Sequence, residues 1–242
     1  MPHPLPTLRR ALRLLAATAL LLPGAVLAQA ETYALDPVHT RVMFAVSHAG
    51  FSEAMGTVSG STGQLRFDPG DWRSASLTAT IPIARADLGD DTWNRAVLAN
   101  NLLDAQDYPQ ATFVSTRVEP VDATHAAVYG TLTLRGVARE VKLDVTLNAL
   151  KRHPLPPFRR TVGFSATATL SRADFGITAW KSVIGDGVSL RIEAEATRTR
   201  DGDGGGDGAP AAATGATAEA PPSDAPADPP PADAPPAPEA TP

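Results

Sequence analysis

Seven segments of this 242-residue chain alternate apolar with polar side chains, most plainly Val42, Phe44, Val46 and then Val141, Leu143, Val145, Leu147. A period of two places successive side chains on opposite faces of a strand, so each segment has one dry face and one wet face. So many half-buried strands in so short a chain favour an antiparallel sheet that closes on itself, because closure removes exposed edges.

The ends of the chain differ from its middle. Residues 1–30 carry Arg9, Arg10 and Arg13, an apolar run from Leu14 to Leu22, and Ala28, Gln29, Ala30 before Glu31. This is the three-part pattern of a secretory signal peptide with a small-x-small cleavage site. The run is too short to span a bilayer comfortably, and no later stretch approaches the 18 or so apolar residues a span needs. The expectation is an exported protein with no integral membrane segment. The chain has no cysteine, which excludes thiol chemistry and a disulfide framework.

From Asp201 to Pro242 the composition changes to glycine, alanine, proline and acid. Such a segment buries too little apolar surface to offset its ordering entropy, and it is expected to be a disordered acidic tail. Asp201, Asp203 and Gly206 fit the start of a calcium loop, but Ala212 stands where the bidentate glutamate belongs, so a linker is the better reading. The tail holds eight acids and no base, which leaves residues 31–200 with as many bases as acids. A neutral domain offers no electrostatic case for nucleic acid as a partner.

Residues 31–200 are the size of one domain with a real core. Strands are predicted over Thr40–His48, Thr57–Phe67 (broken by Gly60 and Gly63), Leu77–Ile83, Thr112–Val118, Ala126–Leu134, Glu140–Ala149, Val162–Leu170 and Val188–Ala196. Arg135, Gly136 and Val137 mark a hairpin. Between Asp87 and Tyr108 the period changes, and Asp91 or Thr92 is placed to cap a short helix carrying Trp93, Ala96 and Val97, with a further turn at Leu102 and Leu103. The fold class is therefore all-β, a single eight-stranded antiparallel barrel with a short helical insertion. The dry faces mix large with small residues, as in Phe164, Ala166, Ala168. An eight-stranded barrel either fills itself with side chains or holds one slender ligand, and both stay open at this point.

Several pieces of the chain, in order, resemble the YceI-like family. They are Tyr33, Leu35, Asp36, His39 with Val42, Phe44, Val46, His48, Gly50; Asp107, Tyr108, Pro109, Ala111, Thr112, Phe113, Ser115; Gly130, Leu132, Thr133, Leu134, Gly136, Val137; Arg172, Asp174, Phe175, Gly176, Ile177; and Gly185, Asp186, Val188, Leu190. The resemblance implies a lipocalin-like barrel, exported to the bacterial periplasm, that is not an enzyme and holds a long isoprenoid (a quinone or polyprenyl chain) or a similar amphiphilic lipid. It implies no cofactor. It allows a homodimer, although no apolar stripe in the sequence argues for one. Leu102 and Leu103 stand where the family often has paired phenylalanines, and Ala138 where it often has threonine.

The lumen candidates, taken from the dry faces, are Phe44, Val46, Phe113, Leu132, Leu143, Val145, Phe164, Ala166, Leu190 and Ile192. Trp93, Leu102 and Phe175 are expected at the mouth or the helical cover, where an aromatic ring sits beside a wet head group. His39 and His48 are an odd number of residues apart, so they face opposite sides of a regular strand and share no metal. Arg172 and Asp174 are expected to form an ion pair that holds their loop. No nucleophile elbow of the form Gly-x-Ser-x-Gly occurs, although scattered serines, histidines and aspartates leave a lipid-modifying enzyme open. The third reading is an envelope-stress structural protein with a solid barrel and a working tail.

Overall fold

The computed structural model describes residues 30–199. The expected signal peptide and acidic tail lie outside the described residues.

Eleven strands follow one another among these residues: β1 (Glu31–Leu35), β2 (Arg41–His48), β3 (Ser52–Ser59), β4 (Thr62–Phe67), β5 (Ser76–Pro82), β6 (Ala86–Asp87), β7 (Gln110–Pro120), β8 (His125–Leu134), β9 (Val137–Arg152), β10 (Arg160–Ser171) and β11 (Ile184–Arg198). One helix, α1 (Asp91–Leu98), stands between β6 and β7. No helix among the described residues is long and apolar enough to cross a membrane.

The strands form a closed eight-stranded antiparallel barrel. Hydrogen-bonded neighbours run β1, β4, β5, β7, β8, β9, β10, β11, and β11 pairs back onto β1 through Tyr33↔Arg198 and Leu35↔Ala196. The three remaining strands extend the first three staves toward one end. β11 pairs with β2 over Ile184–Glu193 before reaching β1, β2 pairs with β3, and β3 with β6. The first stave is thus β1 and β2, the second β3 and β4, the third β5 and β6, each broken in the middle.

The breaks have local causes. Pro37 has no N–H to give a ladder, and the Asp36 carboxylate turns the chain by accepting from the Val38 and His39 amides at 2.8 and 3.2 Å. Facing it, Gly60 takes φ of +84°, a left-handed conformation that a side chain disfavours. Its amide donates to the Pro37 carbonyl at 3.1 Å, so the two bends are tied together. The break expected at Gly60 is present; β1 went unrecognised as a strand because only five residues carry its alternation. The β8–β9 hairpin turns through Arg135 and Gly136, both at positive φ (50° and 72°), the backbone of a tight hairpin that follows strand twist.

The staves end alternately at two poles. The floor carries Phe67, Pro120, Arg152 and Arg198; the mouth carries His48, Pro82, Leu134 and Ser171. Tyr33, Leu65, Phe67, Trp72, Val118, Ala126, Val162 and Ala196 form a buried cluster at the floor. There Phe67, Trp72 and Phe164 meet edge to face, with centroids 5.1 to 6.2 Å apart. A second cluster of Phe113, Val141, Leu143, Ala166, Phe175 and Ile177 lies toward the mouth.

Candidate functional site

Between the two clusters the barrel is hollow. A cavity of about 490 Å³ occupies the lumen, within the usual range for small-molecule sites. Inward side chains such as Phe44, Val46, Val145, Phe164, Leu190 and Ile192 remain only half-buried, because the surface they expose faces this space. The solid barrel left open by the sequence is not what these residues form.

All thirteen predicted site residues line the cavity. Six of the eight staves supply the ten strand residues by alternation: Phe44 and Val46 from β2, Phe113 from β7, Leu132 from β8, Leu143 and Val145 from β9, Phe164 and Ala166 from β10, Leu190 and Ile192 from β11. Sequence reasoning missed Leu35, Leu65 and Phe67, which carry the same alternation on β1 and β4 beyond the breaks. It also missed Trp72, which reaches the lumen from a 3₁₀ turn where no periodicity signals it.

The cover over the mouth is α1 with the turns after it. Its N-cap is Asp90, whose carboxylate accepts from the Thr92 and Trp93 amides at 2.9 and 3.1 Å; this corrects the expected cap at Asp91 or Thr92. A capping side chain must sit outside the helical residues, and Asp91 is already the first of them. No residue of α1 is fully buried. Trp93 is 40 % exposed and its ring lies 5.3 Å from that of His48, which lines the cavity from the end of β2. Leu102 lines the cavity beside it, half-buried. Arg135, which the sequence marked only as part of a hairpin, holds the cover down. Its guanidinium donates to the Asn100 carbonyl at 2.7 Å and to the Gly176 carbonyl at 3.0 Å.

Phe175 is not at a wet edge. It is 2 % exposed, because the turn Ala173–Phe175 and the left-handed Gly176 (φ 73°) point the ring into the upper cluster. The expected Arg172–Asp174 ion pair is also replaced. Arg172 is 6 % exposed and donates to three backbone carbonyls, those of Gly185, Ile177 and Ile184, at 2.8 to 2.9 Å. Among the described residues Asp174 makes no ion pair with it. A buried guanidinium needs its donors satisfied, and the loop carbonyls supply acceptors that a short aspartate on the same turn does not.

Polar side chains along the lumen are few, and among the described residues the buried Ser61 hydroxyl and the Trp72 indole N–H have no hydrogen-bond partner. Thr40 donates to the Glu195 carbonyl at 3.3 Å, and the Ser115 hydroxyl accepts from the Leu77 amide at 2.8 Å. His39 lies outside, exposed in the bend, with Nδ1 2.9 Å from the Asp36 carboxylate, so the two histidines are on different surfaces. Partial burial pushes the Asp36 pKa up, but the bonds from His39 and from the Val38 and His39 amides outweigh it and hold the group below its usual range. Among the described residues no group of three His, Cys, Asp or Glu is placed to hold a metal.

The sequence pattern of the YceI-like domain matches residues 33–196. A UPF0312 protein of Pseudomonas savastanoi is 32 % identical over 160 residues, covering 66 % of this chain and 82 % of that protein. Among solved structures, Burkholderia cenocepacia BcnA superposes with a TM-score of 0.59 at 30 % identity, over 66 % of this chain and 98 % of that one. A polyisoprenoid-binding domain from Saccharophagus degradans shares the fold, with a TM-score of 0.54 at 16 % identity over 69 % of this chain and 98 % of that one.

Proposed function

Given that the chain belongs to the YceI-like family, we propose that it is a periplasmic carrier that holds a long isoprenoid, a quinone or polyprenyl chain, or a similar amphiphile in its barrel. The observation that carries this reading is the hollow, hydrocarbon-lined lumen of about 490 Å³, closed at the floor by Phe67, Trp72 and Phe164. The polyisoprenoid-binding domain of the same fold supports it.

The physics of such binding requires no catalytic group. At about 0.8 kcal/mol per buried methylene, one five-carbon unit contributes on the order of 3 kcal/mol before ordering costs, and a few units suffice for tight binding. The lining is almost wholly hydrocarbon, and the one guanidinium in it, that of Arg172, is spent on backbone carbonyls, which suits a binding protein. An apolar lumen with a half-exposed tryptophan and a histidine at its mouth orients an amphiphile chain-first, leaving its polar end at the cover.

Native mass spectrometry of the chain expressed with its N-terminal segment and recovered from the periplasm without detergent, with organic extraction, tests the proposal. A stoichiometric long-chain isoprenoid or fatty amphiphile is the expected result. Recovery as an apo species that takes up no added quinone or polyprenol would overturn it.

A further inference from the structure

Two phenylalanine rings in the mouth half of the lumen each reach over a glycine of the neighbouring strand. Phe44 on β2 is directly opposite Gly56 on β3. A β-carbon on Gly56 would sit 2.5 Å from Phe44 Cζ, 2.9 Å from Cε1 and 3.0 Å from Leu88 Cγ. Phe113 on β7 is opposite Leu132 on β8, and its ring leans over Gly130, where a β-carbon would overlap the ring edge and the Val114 carbonyl oxygen. Both glycines point inward, because their neighbours two residues away, Ala54 and Val58, Val128 and Leu132, line the cavity. The first pair spans the first and second staves and the other the fourth and fifth, so the two phenylalanines stand three steps apart round the eight-stave ring.

A ring that finds no β-carbon beneath it packs down on the sheet; a ring that does must swing away, and here the free direction is the lumen. We propose that the pairs Phe44–Gly56 and Phe113–Gly130 set the bore of the upper lumen and make it wide enough for a methyl-branched chain. The inference rests on the carrier reading and adds its selectivity: branched isoprenoid over straight acyl or alkyl chains. Contacts of one methyl group decide such preferences by roughly tenfold or more.

The test compares uptake of geranylgeraniol with that of 1-hexadecanol, which has the same main-chain length without branches, by wild type, Gly56→Ala and the double variant Gly56→Ala with Phe44→Leu. Gly56→Ala meets only side-chain atoms, so it is the gentler of the two glycine changes. It should weaken geranylgeraniol binding about tenfold and hexadecanol binding by less than about twofold, and Phe44→Leu should restore the loss. If Gly56→Ala folds poorly, Phe44→Leu alone should raise the preference for the branched chain. Wild-type uptake of both probes with an unchanged ratio in every variant, or an equal loss for both that Phe44→Leu does not restore, overturns the bore assignment and leaves the carrier reading standing. Wild-type protein that takes up neither probe overturns the carrier reading itself.

Discussion

The indole of Trp93 is tilted 46° over the imidazole of His48 with 5.3 Å between ring centroids, and this contact joins α1 to the barrel at the mouth. Since α1 has no fully buried residue, the pair is one of few attachments the helix has besides the Asn94 side chain, which accepts from the Leu88 amide and donates to Asp87.

Trp93→Ala should therefore loosen the cover without unfolding the barrel. The expected result is a several-fold faster dissociation of a bound polyprenyl probe with a change in stability of no more than about 1 kcal/mol, since the ring is 40 % exposed. Stopped-flow displacement and urea unfolding on the same samples separate the two effects.

Ala166 sits at mid-lumen between Val145 and Ile192 on the flanking strands. Ala166→Phe should fill the cavity and abolish uptake, at a cost of about 1–3 kcal/mol for overpacking. Ligand content after extraction is the readout; content equal to wild type would show that the cavity is not where the ligand lies.

Arg172 stabilises the mouth loop through its three carbonyl bonds. Arg172→Met should cost about 3 kcal/mol, because it leaves buried acceptors without donors. A single lysine ammonium cannot reproduce the planar fork, so Arg172→Lys should recover only part of the loss in equilibrium unfolding.

Acid should weaken the floor loop between β7 and β8. Asp122 accepts from the Thr124 and His125 amides and from the His125 ring, and these bonds bring its pKa from 3.8 down to about 2. A carboxylate whose folded value is depressed contributes stability that is present above its unfolded value and lost as pH falls through the folded one. Melting temperature should thus decline from pH 4 toward pH 2, less steeply in Asp122→Asn. His39, raised by its bond to Asp36, acts in the opposite sense: its contribution is complete below its ordinary value of 6.5 and lost as pH rises above it.

Much of the lumen was legible because inward and outward positions alternate along each strand, whatever the strand pairs with. Phe164 and Ala166, or Leu190 and Ile192, needed only that rule. Where the chain leaves the strand, the rule gives nothing. Trp72 enters the floor from a 3₁₀ turn, Phe175 is swung inward by the left-handed Gly176, and Arg172 finds acceptors on Ile184 and Gly185, more than ten residues along the chain.

Local chemistry in the sequence determined most of the strand-forming segments, the bend at Gly60, the hairpin at Arg135 and Gly136, and most of the side chains that face inward. Tertiary structure alone decided that β11 returns to β1, that Phe67, Trp72 and Phe164 close one pole, and that side chains leave a cavity above them. The physical reason is that a cavity belongs to no single segment. Its volume is what remains after side chains from staves distant in sequence have met across the barrel, and those meetings depend on closure and register that no local pattern records.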